Sequence, residues 1–177
     1  NDKKPDCLKW NYQKTISCFF IKGGNMLKYF NNKLITTIEG KHSKEEVLKI
    51  LVDLIRENTD ILDNETDFYD NILAREKVGS TGIGMGIALP HARCENIKKI
   101  VVAVGLLKES VDFHSLDGEN VKLVVLVGAP KKSAKEYLAL VSDLVRAFRN
   151  PKTRTSIFEA VDKQELIGIL AELKKWK

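Results

Sequence analysis

The sequence predicts an α/β layer fold, and three observations indicate it. Residues 100–107 and 121–127 form two valine-rich apolar runs, whose length and continuity are typical of central strands buried on both faces. Segments with apolar residues at helical spacing precede and follow these runs, in sufficient number to cover both faces of a sheet. The chain has 177 residues, of which 44% are hydrophobic and 30% charged, so it can bury one full core.

The first predicted elements are a strand and a helix. The β-branched run at residues 34–38 predicts a short strand, which Gly40 ends. Ser43 then opens the sequence S-K-E-E, in which the Ser43 hydroxyl and the Glu46 carboxylate can bind the free backbone N–H groups of a helix start. Apolar residues at helical spacing extend this helix to about residue 58.

A second helix and a glycine-rich segment follow. The helix is predicted from about residue 65 to residue 77. Its inward residues are expected to be Phe68, Ile72 and Leu73. Residues 79–86, G-S-T-G-I-G-M-G, are expected to form a flexible loop because glycine permits many backbone conformations. A short strand at residues 87–89 comes next, and Pro90 closes it.

Further helices are predicted after the second valine-rich run. Residues 133–136, S-A-K-E, form another capping-box sequence that opens the first of them. Asn150 and Pro151 pair an N-cap residue with proline at the first helical position, and Asp162 with Glu165 opens the last helix. The buried residues expected in the first of these helices are Leu138, Val141, Leu144, Val145 and Phe148. Those expected in the last are Leu166, Ile169, Leu170 and Leu173.

Residues 1–25 differ in character from the rest of the chain. They are rich in asparagine, lysine and aromatic residues, show no clear periodicity, and end in Gly23-Gly24-Asn25. We predict that they form an N-terminal extension or linker, and that a single domain occupies residues 26–177.

Composition argues against several classes of protein. The net charge of +5 comes from 29 basic and 24 acidic residues, and the short, scattered lysine pairs form no basic stripe interleaved with aromatic residues. We therefore predict no nucleic-acid binding, although a basic rim can steer an acidic protein partner. The three cysteines are widely spaced without C-x-x-C, which argues against a disulfide framework and a zinc site. Because no apolar run has the length of a bilayer span, we expect no membrane insertion and a cytoplasmic location.

His91 has the most unusual setting of the three histidines. It follows a glycine-rich loop, a short apolar strand and a proline, in the sequence G-I-G-M-G-I-A-L-P-H-A-R. Pro90 fixes its own φ angle and biases Leu89 toward an extended conformation, while glycines allow backbone N–H groups to approach an anion. Near neutral pH an imidazole is largely unprotonated and offers a nucleophilic nitrogen. From the residues alone, His91 is either such a reactive group or a structural or surface histidine.

Other chemistries have weaker signals. Residues 82–86 match neither the dinucleotide-binding fingerprint nor the Gly-Lys-Ser/Thr of a P-loop. His91 and Cys94 have the H-x-x-C spacing of half a metal site, but the sequence offers no second pair. Ser80 does not lie in a G-x-S-x-G nucleophile elbow. We therefore predict neither a metal nor a cofactor.

Several blocks carry a resemblance to a known family. They are A-R-E-K-V-G-S-T-G-I-G-M-G-I-A-L-P-H-A-R at 74–93, V-A-V-G-L-L at 102–107, V-D-F at 111–113, L-D-G at 116–118 and V-K-L-V-V-L-V at 121–127. With them, the chain from about residue 26 to its end resembles the type-2 enzyme IIA family of the bacterial phosphoenolpyruvate-dependent sugar phosphotransferase system, in its fructose, mannitol and nitrogen-regulatory class. The resemblance implies a single domain with a mixed central sheet, covered by helices on both faces.

The resemblance also implies a chemistry and its partners. His91 is expected to accept a phosphoryl group from phosphohistidine on the small carrier HPr, or a relative of it, and to pass the group to a cysteine on a IIB domain. Arg75 matches the arginine that faces the phosphate in the family. The alternative interpretation is that Arg75 is an arginine on the surface of a helix. Ser80 and Thr81 are expected to donate hydrogen bonds to the phosphate.

Tyr137 departs from the family pattern, because many members carry a second active-site histidine at this position. The Tyr137 hydroxyl can donate a hydrogen bond to phosphate. The alternative interpretation is that Tyr137 is a core aromatic residue at the start of a helix. The expected function is a phosphotransferase component for uptake of a fructose-like or mannitol-like sugar. One alternative is a regulatory protein whose phosphorylation state controls binding to target proteins, and the other is a domain that keeps the fold as an interaction module only.

Overall fold

The computed structural model describes residues 26–62 and 65–173, and it confirms the α/β fold with helices on both faces of a mixed sheet. The strands of the described residues are β1 (Phe30–Ile38), β2 (Gly82–Gly84), β3 (Ile87–Ala88), β4 (His91–Cys94), β5 (Val101–Val111) and β6 (Val121–Pro130). The helices are α1 (Lys44–Asn58), α2 (Glu65–Val78), α3 (Ala134–Arg149), α4 (Pro151–Glu159) and α5 (Lys163–Glu172). The extension predicted at residues 1–25 lies outside the described residues.

The centre of the sheet consists of β5 and β6, which run antiparallel to each other. β1 pairs parallel with β5 on one side. On the other side, β3 and β4 both pair parallel with β6, one after the other along its length. Leu89 and Pro90 separate these two short strands, and the Pro90 carbonyl accepts a hydrogen bond from Val127 N at 2.9 Å. Because proline has no N–H, the ladder breaks at the residue that precedes His91.

Two apolar cores lie on opposite faces of this sheet, because successive side chains of a strand point to opposite faces. Val124 and Leu126 of β6 pack in the core that α1 and α2 cover. Leu123 and Val125 pack in the other core, which α3, α4 and α5 cover. The two valine-rich runs are therefore buried on both faces, as predicted.

Local capping signals place three helix starts where the sequence predicts them. Ser43 Oγ accepts from Glu46 N at 3.2 Å, and Glu46 Oε2 accepts from Ser43 N at 2.7 Å, which is a complete capping box. The Asn150 side chain caps α4 ahead of Pro151, and the Asp162 side chain caps α5. Among the described residues, no helix has the length and apolarity that a membrane crossing needs.

The capping box predicted at residues 133–136 is wrong. Ser133 ends a short 3-10 helix at Lys131–Ser133 and makes no side-chain cap. The Glu136 carboxylate instead accepts hydrogen bonds from Lys28 and Tyr29, which are distant in sequence. The predicted buried face of α3 is also wrong at Leu138, which is 63% exposed. The buried residues of α3 are Tyr137, Leu140, Leu144 and Phe148.

The flexible loop predicted at residues 79–86 is wrong as well. Its second half forms β2, which pairs antiparallel with β3, and the turn between them is tightly packed. A Cβ atom at Gly82 would lie 2.1 Å from Ser115 Oγ, and Gly86 has a φ angle of +75° beside the Phe158 ring. Gly82 permits this close packing and Gly86 permits the left-handed turn, so the segment is a packed hairpin. Anion binding by its backbone N–H groups stays a prediction.

Candidate active site

His91 is the first residue of β4, and its side chain is half-buried. It stands opposite Val127 in the parallel ladder with β6. Side chains alternate along a strand, so Ala92 and Cys94 are buried in the core, whereas His91 and Arg93 point to the other face. The short strand therefore presents an imidazole and a guanidinium on one side of the sheet.

Hydrogen bonds fix the tautomer of the His91 ring. Nδ1 lies 2.8 Å from the Leu89 carbonyl oxygen, and Nε2 lies 3.1 Å from Arg75 Nε. A carbonyl oxygen only accepts and a guanidinium N–H only donates, so the proton must be on Nδ1 and the lone pair on Nε2. The two contacts agree on one tautomer, in which Nε2 is the nucleophilic nitrogen.

The charge state of His91 also favours a nucleophile. Burial lowers the pKa of its imidazole below the ordinary value of 6.5. The hydrogen bond to Leu89 and the Glu76 carboxylate act to raise the pKa, and the positive charge of Arg75 acts with burial to lower it. The ring is therefore neutral at physiological pH.

Arg75 reaches His91 from the last turn of α2. Its Nη1 donates to the Gly79 carbonyl at 2.9 Å while its Nε donates to His91. The backbone at the end of α2 thus holds the guanidinium plane against the imidazole. The structure brings together the two residues that the sequence predicts as nucleophile and phosphate-binding arginine.

The buried carboxylate of Glu76 supports this arrangement through hydrogen bonds to the segment that precedes His91. Glu76 is 6% exposed and accepts hydrogen bonds from Thr81 N at 3.2 Å and from Thr81 Oγ1 at 2.6 Å. Lys44 Nζ lies 3.5 Å from the same carboxylate. The Thr81 carbonyl then accepts from Leu89 N at 2.9 Å, and Leu89 is the residue whose carbonyl holds His91 Nδ1. Glu76 is therefore linked to the His91 ring through Thr81 and Leu89.

Ser80 and Thr81 have other partners in this structure than the phosphate that the sequence predicts. Ser80 Oγ donates to the Phe113 carbonyl at 2.6 Å and accepts from Gly82 N at 3.0 Å. Both hydrogen-bond donors of Thr81 are directed at Glu76. These bonds hold the segment between α2 and β2 in place, and phosphate binding by Ser80 and Thr81 stays a prediction.

His91 borders an open depression of about 700 Å³ that is lined by residues of α2, β4 and the start of α3. The residues around it include Asn71, Arg75, His91, Arg93, Lys131 and Tyr137. Tyr137 is 6% exposed, and the centroid of its ring lies 5.9 Å from that of the His91 ring. Tyr137 is thus a core aromatic and a neighbour of His91 at the same time.

Cys94 and His114 lie apart from this arrangement. Cys94 faces the core while His91 faces the depression, so the H-x-x-C pair does not converge. Burial raises the pKa of the Cys94 thiol to about 11, which keeps it protonated. His114 has an exposed side chain that pairs with Asp112 at 2.9 Å, and it does not border the depression.

Glu76 and Arg93 are site residues that the sequence reasoning missed. Phe68, Ile72 and Glu76 are spaced four residues apart on α2, so the buried stripe of that helix already included Glu76. Arg93 follows His91 by two residues on a strand, which places both on one face. Both signals were present in the sequence.

The fold and the sequence now define the class of protein. The described residues form an α/β protein whose mixed sheet lies between two helical layers. Residues 28–173 match the family described as phosphoenolpyruvate-dependent sugar phosphotransferase system, EIIA 2. The chain belongs to this family, which confirms the resemblance carried by the sequence blocks.

Similar proteins include a fructose-specific component and nitrogen regulatory proteins. The fructose-specific EIIA component of a phosphotransferase system from Haloferax volcanii is 30% identical over 141 residues, covering 80% of this chain and 91% of the relative. A nitrogen regulatory protein from Pseudomonas aeruginosa is 33% identical over 132 residues, covering 75% of this chain and 85% of that relative. The crystal structure of the nitrogen regulatory protein IIA-Ntr from Neisseria meningitidis has a TM-score of 0.72 at 28% identity, covering 81% of this chain and 97% of that one.

Proposed function

We propose that this chain is a phosphoryl carrier that accepts phosphate on His91 from the phosphohistidine of an HPr-like protein. In the first candidate function, His91 passes the group to a cysteine of a IIB domain for sugar uptake. The observation that carries the proposal is the pair of hydrogen bonds on His91, which leave the lone pair on Nε2 beside the Arg75 guanidinium. We further propose that the carrier domain occupies residues 26–177 and acts in the cytoplasm.

The chemistry is a displacement at phosphorus. The Nε2 lone pair attacks the phosphorus atom in line with the P–N bond of the donor phosphohistidine. A new P–N bond forms to His91 as the old one breaks, and its electron pair stays on the donor imidazole. The proton on Nδ1 of His91 remains hydrogen-bonded to Leu89, so the cationic ring of the phosphohistidine is stabilised by that carbonyl. In the second transfer, a cysteine thiolate attacks the phosphorus and the electron pair returns to Nε2.

Arg75 has a defined part in this step. In the free protein its Nε donates to the Nε2 lone pair, which must be released before the phosphoryl group can bond there. A small rotation moves the guanidinium from the nitrogen to the equatorial phosphoryl oxygens, where its planar fork can donate two hydrogen bonds. Arg75 then stabilises the charge that spreads over those oxygens in the transition state.

A second candidate function has its own support. The similarity to nitrogen regulatory proteins from two organisms favours a regulator whose phosphorylation state selects its target protein. The chemistry at His91 is the same in both functions, and only the acceptor or target differs. An interaction module that has lost phosphoryl transfer is less well supported, because His91 and Arg75 are both present and in contact.

The experiment that tests the carrier proposal is intact-mass spectrometry after incubation with phosphoenolpyruvate, enzyme I and HPr, for the wild type and His91→Ala. We expect one acid-labile phosphate on the wild type and none on the variant, with circular dichroism showing that the variant is folded. No phosphate on the wild type would contradict the proposal. Adding a IIB domain then separates the two candidates, because only the sugar carrier should lose its phosphate to the IIB cysteine.

A further inference from the structure

We propose that Arg93 is a second phosphate-binding arginine, and that the ring of Tyr137 is the surface that holds it beside His91. This inference rests on the proposed function, since it concerns the same phosphoryl group. In this proposal the Tyr137 ring positions Arg93, and the Tyr137 hydroxyl donates no hydrogen bond to the phosphate.

The geometry brings the three side chains together. His91 and Arg93 are two residues apart on β4, so their Cα atoms are separated by about 6.6 Å and their side chains point to one face. The guanidinium carbon of Arg93 lies 5.8 Å from the centroid of the Tyr137 ring. The same ring centroid lies 5.9 Å from that of His91. All three side chains border one depression.

The charges around the depression favour Arg93 as the second cation. A phosphoryl group on nitrogen carries close to two negative charges, and Arg75 supplies one positive charge. Lys131 also borders the depression, but its ammonium lies 3.4 Å from the Glu95 carboxylate. Within residues 26–62 and 65–173, no carboxylate forms an ion pair with Arg93, whose guanidinium lies over the Tyr137 ring. Its guanidinium donors are therefore available to an anion.

Tyr137 is suited to holding an arginine in place. Its ring belongs to the core on the α3 side, so its position is fixed by packing. A guanidinium is attracted to the face of an aromatic ring and can stack on it while its N–H groups remain free. Burial raises the pKa of the Tyr137 hydroxyl, so the ring introduces no negative charge beside the phosphate. Tyr137 is a positioning residue in this arrangement, and Arg93 touches the phosphate.

Substitutions can separate the ring of Tyr137 from its hydroxyl. Tyr137→Phe keeps the aromatic face and removes the hydroxyl, whereas Tyr137→Leu removes the face. Arg93→Gln removes the charge from an exposed residue and should leave the fold unchanged, and Arg93→Lys keeps the charge without the fork. The matched control is Arg146→Gln, because Arg146 is an exposed arginine nine positions beyond Tyr137 on the opposite face of α3.

The test measures two quantities on the 177-residue chain. One is the equilibrium distribution of phosphate between HPr and each variant, and the other is the hydrolysis rate of the phosphohistidine. We expect Arg93→Gln to shift the equilibrium toward phospho-HPr by about tenfold and to shorten the lifetime of the phosphohistidine, because a charge-assisted hydrogen bond is lost. Arg93→Lys should recover part of the loss, and Tyr137→Leu should resemble Arg93→Gln. Tyr137→Phe and Arg146→Gln should match the wild type.

The outcomes distinguish this proposal from the one it rests on. If the wild type takes phosphate on His91 and Arg93→Gln behaves like Arg146→Gln, the Arg93 assignment is overturned while the carrier function stands. If Tyr137→Phe loses as much as Tyr137→Leu, the hydroxyl rather than the ring acts on the phosphate, and the positioning role is overturned. A wild type that takes no phosphate overturns both proposals.

Discussion

On its α2 side, His91 is enclosed by hydrogen bonds with defined partners, whereas its α3 side presents an aromatic ring and an arginine that pairs with no carboxylate of the described residues. Arg75, Leu89, Thr81 and Glu76 form the first side, in a series of bonds between 2.6 and 3.2 Å. Tyr137 and Arg93 form the second side through ring contacts.

This difference indicates that the two sides of His91 have different tasks: one holds the imidazole ring in place, and the other offers donors to an anion. The α2 side fixes the ring orientation and the tautomer before any phosphate arrives, which would preorganise the site for the proposed phosphoryl transfer. On the α3 side, the Arg93 guanidinium pairs with no carboxylate of the described residues, so its donors can bind an anion in the proposed role. The following substitutions test this division, from the largest expected effect to the smallest.

The largest effect is expected from Arg75→Gln, because Arg75 belongs to both tasks. It should slow phosphorylation of His91 by about a hundredfold, since a charged donor to the transition state is lost. Rapid-quench measurement of phosphoryl transfer from phospho-HPr gives the rate. Lys77→Gln, which removes the same charge from an exposed position on the same helix, is the control. Equal rates for the two variants would argue against contact between Arg75 and phosphate.

Arg75→Gln should also raise the pKa of His91, since Arg75 is one of the causes that lower it. In the wild type, the unfolded chain binds a proton below about pH 6.5 that the folded His91 does not bind. The stability contributed by neutral His91 is therefore fully present above pH 6.5 and decreases as the pH falls toward the folded pKa. NMR titration of the His91 ring measures its pKa in the wild type and in Arg75→Gln. A pKa in the variant that is equal to or below that of the wild type would contradict the account.

Glu76→Gln should chiefly affect the α2 side and the stability of the domain. It leaves Lys44 without its carboxylate and weakens the bonds to Thr81, so we expect the free energy of unfolding to fall by about 3 kcal/mol. Urea denaturation with an unchanged m-value measures the loss. Glu57→Gln, an exposed glutamate of α1, should change stability by less than about 0.5 kcal/mol. An equally small change in the free energy of unfolding for Glu76→Gln would contradict the claim that Glu76 supports the segment holding His91.

The smallest effect is expected from Ser80→Ala. Losing the bonds to the Phe113 carbonyl and Gly82 N should cost about 1 kcal/mol of stability and leave the phosphohistidine lifetime unchanged. Ser142→Ala on the exposed face of α3 is the control for the change of side chain. If the stability is unchanged and the phosphohistidine lifetime falls instead, Ser80 binds phosphate, as the sequence predicts.

The parts of the fold that the sequence predicts correctly depend on local partners. Ser43, Asn150 and Asp162 cap their helices through groups only two or three residues away. Ser133 fails as a cap because a 3-10 helix precedes α3, and because Glu136 binds Lys28 and Tyr29, which are remote in sequence. The β2–β3 hairpin likewise depends on packing against Ser115 and Phe158, which are remote in sequence.

The candidate site shows the same limit. The motif around His91 and Arg75 identifies both residues, and the structure places them in contact. The roles of Thr81, Glu76 and Leu89 become visible only when the hydrogen bonds between α2, β2 and β4 are known. Leu144 and Phe148 lie on the buried face of α3 as predicted, but Tyr137 rather than Leu138 faces the core at the start of that helix.

The central claim is that His91 is a neutral, Nδ1-protonated imidazole that takes phosphate on Nε2. Long-range proton–nitrogen NMR on protein labelled with ¹⁵N at histidine tests it directly, before and after incubation with phosphoenolpyruvate, enzyme I and HPr. The account predicts an unprotonated Nε2 in the free protein and a phosphorus-bonded Nε2 afterwards. Phosphate on Nδ1, or a His91 spectrum that the incubation leaves unchanged, would contradict it.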